Sequence, residues 1–492
     1  MSMDHDLLIR GGDAVLPGRG RTACDIAVRD GRISAILAPG APASAATTLD
    51  ARGLVVLPGA IDVHLHLGHG RDIARPRVPE DAARESAAAV AGGITCFIPY
   101  LMTSDPFASV LPEVIGVTEA GSRIDFGYHP IISTETQLAE VEACAREHGA
   151  PTFKIFMNNR GGEGARLGLP DIDDGFLLRL CEAAARAGGM VCPHPETIEL
   201  AWVTRERAKA ADPDGTGGLA TWNASRPPFV EADAVQRAGF IARTAGAPLY
   251  VVHTSSGEAL AAGLRQREAG AQLFLETCPH YLTHDVDWDG GETGGSDTAK
   301  INPPLRAAAD REALWAGILS GFIDTVATDH VHRGLDARAG GIWSAAPGCP
   351  GLETLLPVLL TEGYHARGLD LARVVDLVST RPAQIMGLAH RKGAIAPGLD
   401  ADFALVDLDA EWTLTRADVR SSAGDSIYEG RRFRGARAPH GRARPDGAAG
   451  SFAPGRRHRH RPLRSATACR RSSLKARRVR EIRALATRER GA

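Results

Sequence analysis

The chain has 492 residues, 44% of them hydrophobic, and a formal net charge of −2. That content suffices for one barrel-sized domain plus a smaller one, and it excludes a globally disordered chain. The near-neutral total hides an asymmetry: residues 431–492 hold 20 Lys and Arg against 3 Asp and Glu, whereas the first 430 hold 37 against 56, so an acidic body of −19 precedes a basic tail of +17.

The opening Met-Ser-Met-Asp-His-Asp lacks the basic and apolar regions of an export signal, and no apolar run reaches membrane-spanning length. Eight cysteines show no CxxC spacing. A soluble protein of a reducing cytoplasm is expected, with no membrane partner. Residues 1–58 read as the N-terminal part of a small β domain, with short strands at Leu7 to Ile9, Asp25 to Val28, Arg32 to Ile36 and Leu54 to Leu57.

From residue 59 to 387 strand-like runs alternate with Ala-rich amphipathic stretches: Ala82 to Ala91 before Ile94 to Ile98, Phe176 to Ala187 before Met190 to Cys192, and Ala232 to Thr244 before Leu249 to Val252. Repeated βα units of this extent predict an α/β fold, a (β/α)8 TIM-like barrel. Residues 388–434 return to strand patterning at Lys392 to Ile395 and Ala401 to Leu408, and are expected to complete a composite small β-sandwich domain from both flanks.

Six candidate metal ligands end apolar runs along the barrel segment. In Ile61-Asp62-Val63-His64-Leu65-His66 the two-residue period of a strand turns both imidazoles to one face. Lys154 lies in Thr152-Phe153-Lys154-Ile155-Phe156-Met157, where a bare ammonium is costly to bury. A neutral lysine there adds CO2 to form a carbamate able to bridge two cations; the plainer alternative is a lysine snorkelling to the barrel mouth or paired to a carboxylate. His194 follows Val191-Cys192-Pro193 and His253 follows Leu249 to Val252, each alone compatible with a structural histidine. Asp329 ends Val326-Ala327-Thr328, where a turn or cap aspartate is the alternative to a ligand that exchanges a proton with bound water. Six independent accidents at strand ends of one barrel form a poorer account than a two-metal site.

With these residues in place the chain resembles the cyclic amidohydrolases, dihydropyrimidinase and hydantoinase, with allantoinase and dihydroorotase as relatives. The likeness runs from about residue 6 to 434 and rests on Pro58 to His66, Phe153 to Met157, Ser225-Arg226-Pro227-Pro228, Val252 to Ser256, Glu276 to Leu282, Asn302-Pro303-Pro304-Leu305-Arg306 and Arg391 to Ile395. The resemblance implies that His64, His66 and Asp329 bind one zinc ion and His194 and His253 a second, with Lys154 as N6-carboxylysine bridging them. It further implies that a metal-bridging hydroxide attacks the ring carbonyl, with Asp329 as the catalytic proton carrier, opening the C–N bond of a cyclic amide or ureide. A hydantoin or dihydropyrimidine is the expected substrate, allantoin or dihydroorotate the alternative, and a homotetramer or homodimer the implied assembly. A non-catalytic structural relative is the alternative of another class, separable by metal content.

Two positions depart from the family pattern. Asn159, after Asn158, stands where hydantoinases and dihydropyrimidinases carry an oxyanion tyrosine, and Asn302 stands at the ring-binding serine. Both remain candidate substrate-binding residues through their amides. The arginine that dihydroorotases place directly after His-x-His is absent, since Leu67-Gly68 follows His66, and Arg71 is a candidate loop substitute.

Residues 435–492 turn Arg-, Ala- and Pro-rich where the family continues with strands, and are expected to form a disordered tail unable to supply a packed strand pair, out of frame relative to relatives. The run Arg456 to Arg461 suits nucleic acid or the acidic body, though nucleic acid is not the expected partner. Residues 474–490 suffice for a short basic amphipathic helix.

Overall fold

A computed structural model describes residues 4–435, 451–452 and 463. The chain opens with β1 (His5–Leu16), β2 (Gly20–Arg29), β3 (Arg32–Leu37), β4 (Ala45–Asp50) and β5 (Val55–Pro58). The next strands are β6 (Ala60–His66), β7 (Ile94–Leu101), β8 (Asp125–Phe126), β9 (His129–Pro130), β10 (Thr152–Phe156), β11 (Met190–His194), β12 (Leu249–Val251), β13 (Leu273–Thr277), β14 (Thr325–Val326) and β15 (His330–Val331). The last are β16 (Phe403–Val406), β17 (Glu411–Thr413), β18 (Arg432–Arg434) and β19 (Ser451–Phe452). The architecture is mixed α/β.

Strands from both flanks share one mixed seven-stranded sheet, in which β16 pairs antiparallel with β5. Alternating apolar residues such as Leu7, Ile9, Ile26, Val28, Phe403 and Leu405 form its own core. Two parallel five-stranded sheets follow, β10-β11-β12-β13-β14 and β15-β6-β7-β8, with β9 beside β7. Two links run between them: a parallel bridge from Ile131 to Lys154, and the continuous chain from β14 into β15.

Helices separate these strands, and their ends carry the expected signals. Asp174–Ala187 starts at Asp173, whose carboxylate accepts from the Phe176 amide at 2.8 Å, and stops at Gly188 with φ of 68°. Pro228–Ala245 begins on a proline, and Gly257–Glu268 is capped by the Ser256 hydroxyl. The largest core lies between strands and helices; a smaller one, including Tyr100, Cys192, Tyr250 and Val252, lies on the side of the strands that carries the candidate ligands. No helix among the described residues is long and apolar enough to cross a membrane.

Two expectations are corrected. Lys392 to Ile395 form no strand: the chain bends over residues 392–394, with Gly393 at a φ of 93°, and the Lys392 side chain turns inward to Asp125 and Asp402. The tail does reach the sheet: Ser451–Phe452 pair antiparallel with Ala404 and Phe403 of β16, a backbone interaction that needs no apolar alternation. Leu463 is buried in the smaller core and donates its amide to the Gly149 carbonyl at 2.6 Å. The rest of the tail, including the expected disorder of 435–492 and the helix over 474–490, lies outside the described residues beyond Gly435.

Candidate metal centre

Eight of the nine residues singled out from the sequence line one open-mouthed cavity: His64, His66, Lys154, Asn159, His194, His253, Asn302 and Asp329. Strand β6 delivers the first two. Its pairing with β7 shifts register between Asp62 and Leu65, so Ile61 and Val63 join the smaller core while Leu65 packs into the larger one. Simple alternation is thus interrupted by a bulge, and His64 and His66 still reach the cavity together. Strand β10 presents Lys154 and β11 ends on His194. His253 and Asp329 follow the ends of β12 and β14 with positive φ, 40° and 47°, a costly backbone for non-glycine residues that recurs at functional sites.

The groups converge. Asp329 Oδ1 lies 3.0 Å from His64 Nε2 and 3.8 Å from His66 Nε2. Lys154 Nζ lies 3.5 Å from His64 Nε2 and 4.3 Å from the centre of the Tyr100 ring. His194 Nδ1 and His253 Nε2 face each other at 2.9 Å.

A layer of carboxylates orients these rings. Glu276 Oε1 accepts from His64 Nδ1 at 2.6 Å and from the His253 amide at 2.9 Å, while its Oε2 accepts from the Tyr250 hydroxyl at 2.8 Å. Glu196 Oε2 lies 2.7 Å from His194 Nε2 and accepts from Arg226 Nη1 at 2.7 Å. Asp62 accepts from the Thr328 hydroxyl at 2.6 Å and from its amide at 3.0 Å, bracing the turn that carries Asp329. Histidine ligands commonly need such partners to fix ring orientation and tautomer.

Burial sets the protonation states. It pulls His66 down to about 3, His253 well below the imidazole range, and His194 below its usual value. Burial also lowers Lys154 to about 8, with Asp329 and Glu276 opposing it. Asp329 is held well below the carboxylate range because His64, His253 and His66 outweigh its burial. His64 is the exception: Glu276 and Asp329 overcome its burial and raise it. Neutral imidazoles, an ionised carboxylate and a lysine ready to lose its proton form a donor set that fits divalent cations. Three of these residues, His64, His66 and Asp329, offer ligand atoms all within 4.8 Å of one another.

The amide candidates also reach the cavity, and Asn302 Oδ1 is buried without a hydrogen-bond partner among the described residues. Arg71 does not line it; this exposed side chain pairs with Asp336 instead. Sequence reasoning passed over the supporting Glu276, Glu196 and Asp62, although a carboxylate two residues from a candidate histidine was a readable signal. It also passed over Arg166 and Arg333, which line the cavity from loops.

Comparisons with known proteins agree with this chemistry. The Amidohydrolase family model matches residues 293–430. The chain is 36% identical over 438 residues to an allantoinase of Solibacter usitatus, covering 87% of this chain and 91% of the relative. It is 32% identical over 440 residues to a D-hydantoinase of Ralstonia pickettii, covering 87% and 92%. Among solved structures, a D-hydantoinase aligns with a TM-score of 0.79 at 31% identity over 88% of this chain and 92% of its own. An L-hydantoinase (dihydropyrimidinase) from Arthrobacter aurescens aligns with a TM-score of 0.79 at 28% identity over 88% and 93%.

Proposed function

The chain belongs to the amidohydrolase family, and from that premise we propose that it is a metal-dependent hydrolase opening the C–N bond of a hydantoin or dihydropyrimidine ring. The observation that carries the reading is the convergence of three imidazoles held below their usual pKa, a strongly acidic Asp329 and a depressed Lys154 in one cavity. Two divalent cations, zinc in this reading, would be held by His64, His66 and Asp329 and by His194 and His253, with carboxylated Lys154 between; bound there, they supply Lewis-acid polarisation of the ring carbonyl and acidify water.

The side chains do the rest. Asp329 accepts a proton at its carboxylate and returns it to the departing ring nitrogen. Asn302 Oδ1, which has no other partner among the described residues, accepts a ring N–H, and the Asn159 amide donates to the carbonyl oxygen. Glu276 and Glu196 hold the rings of His64 and His194 in place. The same proposal includes closure of the two parallel sheets into one (β/α)8 barrel, supported by the Ile131–Lys154 bridge and the β14–β15 continuity. It includes division of the chain at residues 58 and 387, a cytoplasmic setting and a homotetramer or homodimer, which rest on the family resemblance.

Allantoin, itself a hydantoin carrying a ureido group, is the second reading. It is favoured by the identity of 36% to the allantoinases of Solibacter usitatus and Rubrobacter xylanophilus, against 32% to the D-hydantoinase of Ralstonia pickettii. The deciding experiment measures metal per chain after purification with zinc and bicarbonate, then ring opening of hydantoin, dihydrouracil, allantoin and dihydroorotate. Two metals with turnover of hydantoin or dihydrouracil is the expected result; folded protein that binds no metal would overturn the hydrolase reading.

A further inference from the structure

The cavity that holds the candidate ligands adjoins a second, more open cleft, and Arg166 and Arg333 line both. Arg166 stands exposed in the short turn Ala165–Leu167, and Arg333 is half-buried just past β15. Among the described residues Arg333 donates one side-chain hydrogen bond, from Nη1 to the Pro347 carbonyl at 2.8 Å, and has no ion pair, and Arg166 has neither.

Several other charges around the two spaces are matched, whereas Asp72 and Arg77 of the second cleft have no ion pair among the described residues. Arg226 is paired with Glu196 at 2.7 Å, Arg75 with Asp105 at 3.7 Å, and Arg71 with Asp336. Glu163, an acidic residue of the cavity wall, is engaged by Arg205 at 2.6 Å and by the Trp202 indole at 3.0 Å. Positive charge therefore accumulates at the junction. Arg333 is pulled down to about 10 by burial and by Arg166, with Asp72 opposing. Nearby Lys300 is buried with its Nζ 4.1 Å over the Trp222 ring, and is lowered to about 8 by burial, Arg166 and Arg226. A body of net charge −19 over its first 430 residues thus leaves two guanidinium groups with no ion pair among the described residues where the two spaces meet, with Glu163 acting on Arg166 and Asp72 on Arg333 only at longer range. Guanidinium groups match planar carboxylates through paired N–H donors, and a positive cleft concentrates anions.

Resting on the hydrolase reading, we propose that the cyclic amide opened here carries an anionic substituent, a carboxylate, which Arg166 and Arg333 hold at the cavity mouth while the ring lies among the candidate metal ligands. The test compares a hydantoin bearing a carboxymethyl group with its carboxamide isostere, in the wild-type enzyme and in Arg166→Gln, Arg333→Gln and the double variant. The acid is expected to exceed the amide in kcat/KM by about tenfold or more, chiefly through KM, and the ratio to fall towards one in the double variant. Equal kcat/KM for acid and amide in the wild type overturns the anion subsite while leaving the hydrolase standing. Should neither ring open, the hydrolase reading fails by itself, and calorimetry decides the subsite: tighter binding of the acid that disappears in the double variant supports it, and equal affinities reject it.

Discussion

Lys154 and Lys392 are both nearly withdrawn from water, at 1% and 4% exposure, and both lie near acidic residues from distant segments, yet their surroundings push them in opposite directions. Burial is the largest influence on each. Around Lys392 it is overcome: Nζ lies 2.8 Å from Asp125 and contacts Asp402, with Asp400 at 3.9 Å, and the group is raised above its ordinary range. Lys154 Nζ lies 3.5 Å from His64 Nε2 and 4.3 Å from the centre of the Tyr100 ring, and burial prevails. Asp125, Asp400 and Asp402 are as tightly grouped as His64, His66 and Asp329, so proximity of ligand-type atoms does not itself distinguish a metal centre. The difference is that the chain fills the first cluster with its own ammonium, tying β8 to the residue before β16, and places against the second the His66 and His253 rings, which burial holds below the usual imidazole range.

Exchanging each lysine for a neutral side chain is the strongest way to break this comparison. Lys154→Met is expected to reduce kcat by more than about a thousandfold and to lower bound metal, with little loss of folding stability, because it removes a costly buried amine. Lys392→Met leaves buried carboxylates without their cation and is expected to destabilise the fold by about 3–5 kcal/mol, read from urea unfolding of metal-free protein. Comparable destabilisation by both would show that Lys154 too is a structural ammonium.

The histidine pair, Lys154 and Asp329 were legible because strand ends leave short local patterns: period two around His64 and His66, an apolar flank around Lys154, a run ending at Asp329. The alternation of βα units likewise marked the parallel strands. Lys392 was visible as a motif member but not as a clamp, since Asp125 is 267 residues away in the chain. Arg166 and Arg333 come from loops without periodicity, and only folding brings them to one rim. The pairing of Ser451–Phe452 escaped notice for a related reason: two residues of backbone hydrogen bonding leave no side-chain pattern.

A smaller effect sharpens the account of the candidate ligand rings. Glu276 touches His64, the His253 amide and Tyr250, so Glu276→Gln removes the charge that fixes two candidate ligands while preserving volume. Metal affinity is expected to fall about 10–100-fold, measured by competition with a chelator. An unchanged affinity would mean that packing alone orients these rings.

The smallest effect concerns pH and tests Lys154 directly. Carbamate formation consumes the neutral amine, whose fraction rises with pH through a pKa of about 8, well under the ordinary lysine value of 10.5. At fixed dissolved CO2, reactivation of metal-free protein by zinc should therefore be about fivefold faster at pH 8 than at pH 7, and gain only about twofold more above that. An ammonium like that of Lys392 would instead give a rate climbing about tenfold per pH unit through pH 9, since its neutral fraction remains small throughout. The shape of that profile separates a lysine that burial has made reactive from one that carboxylates have locked.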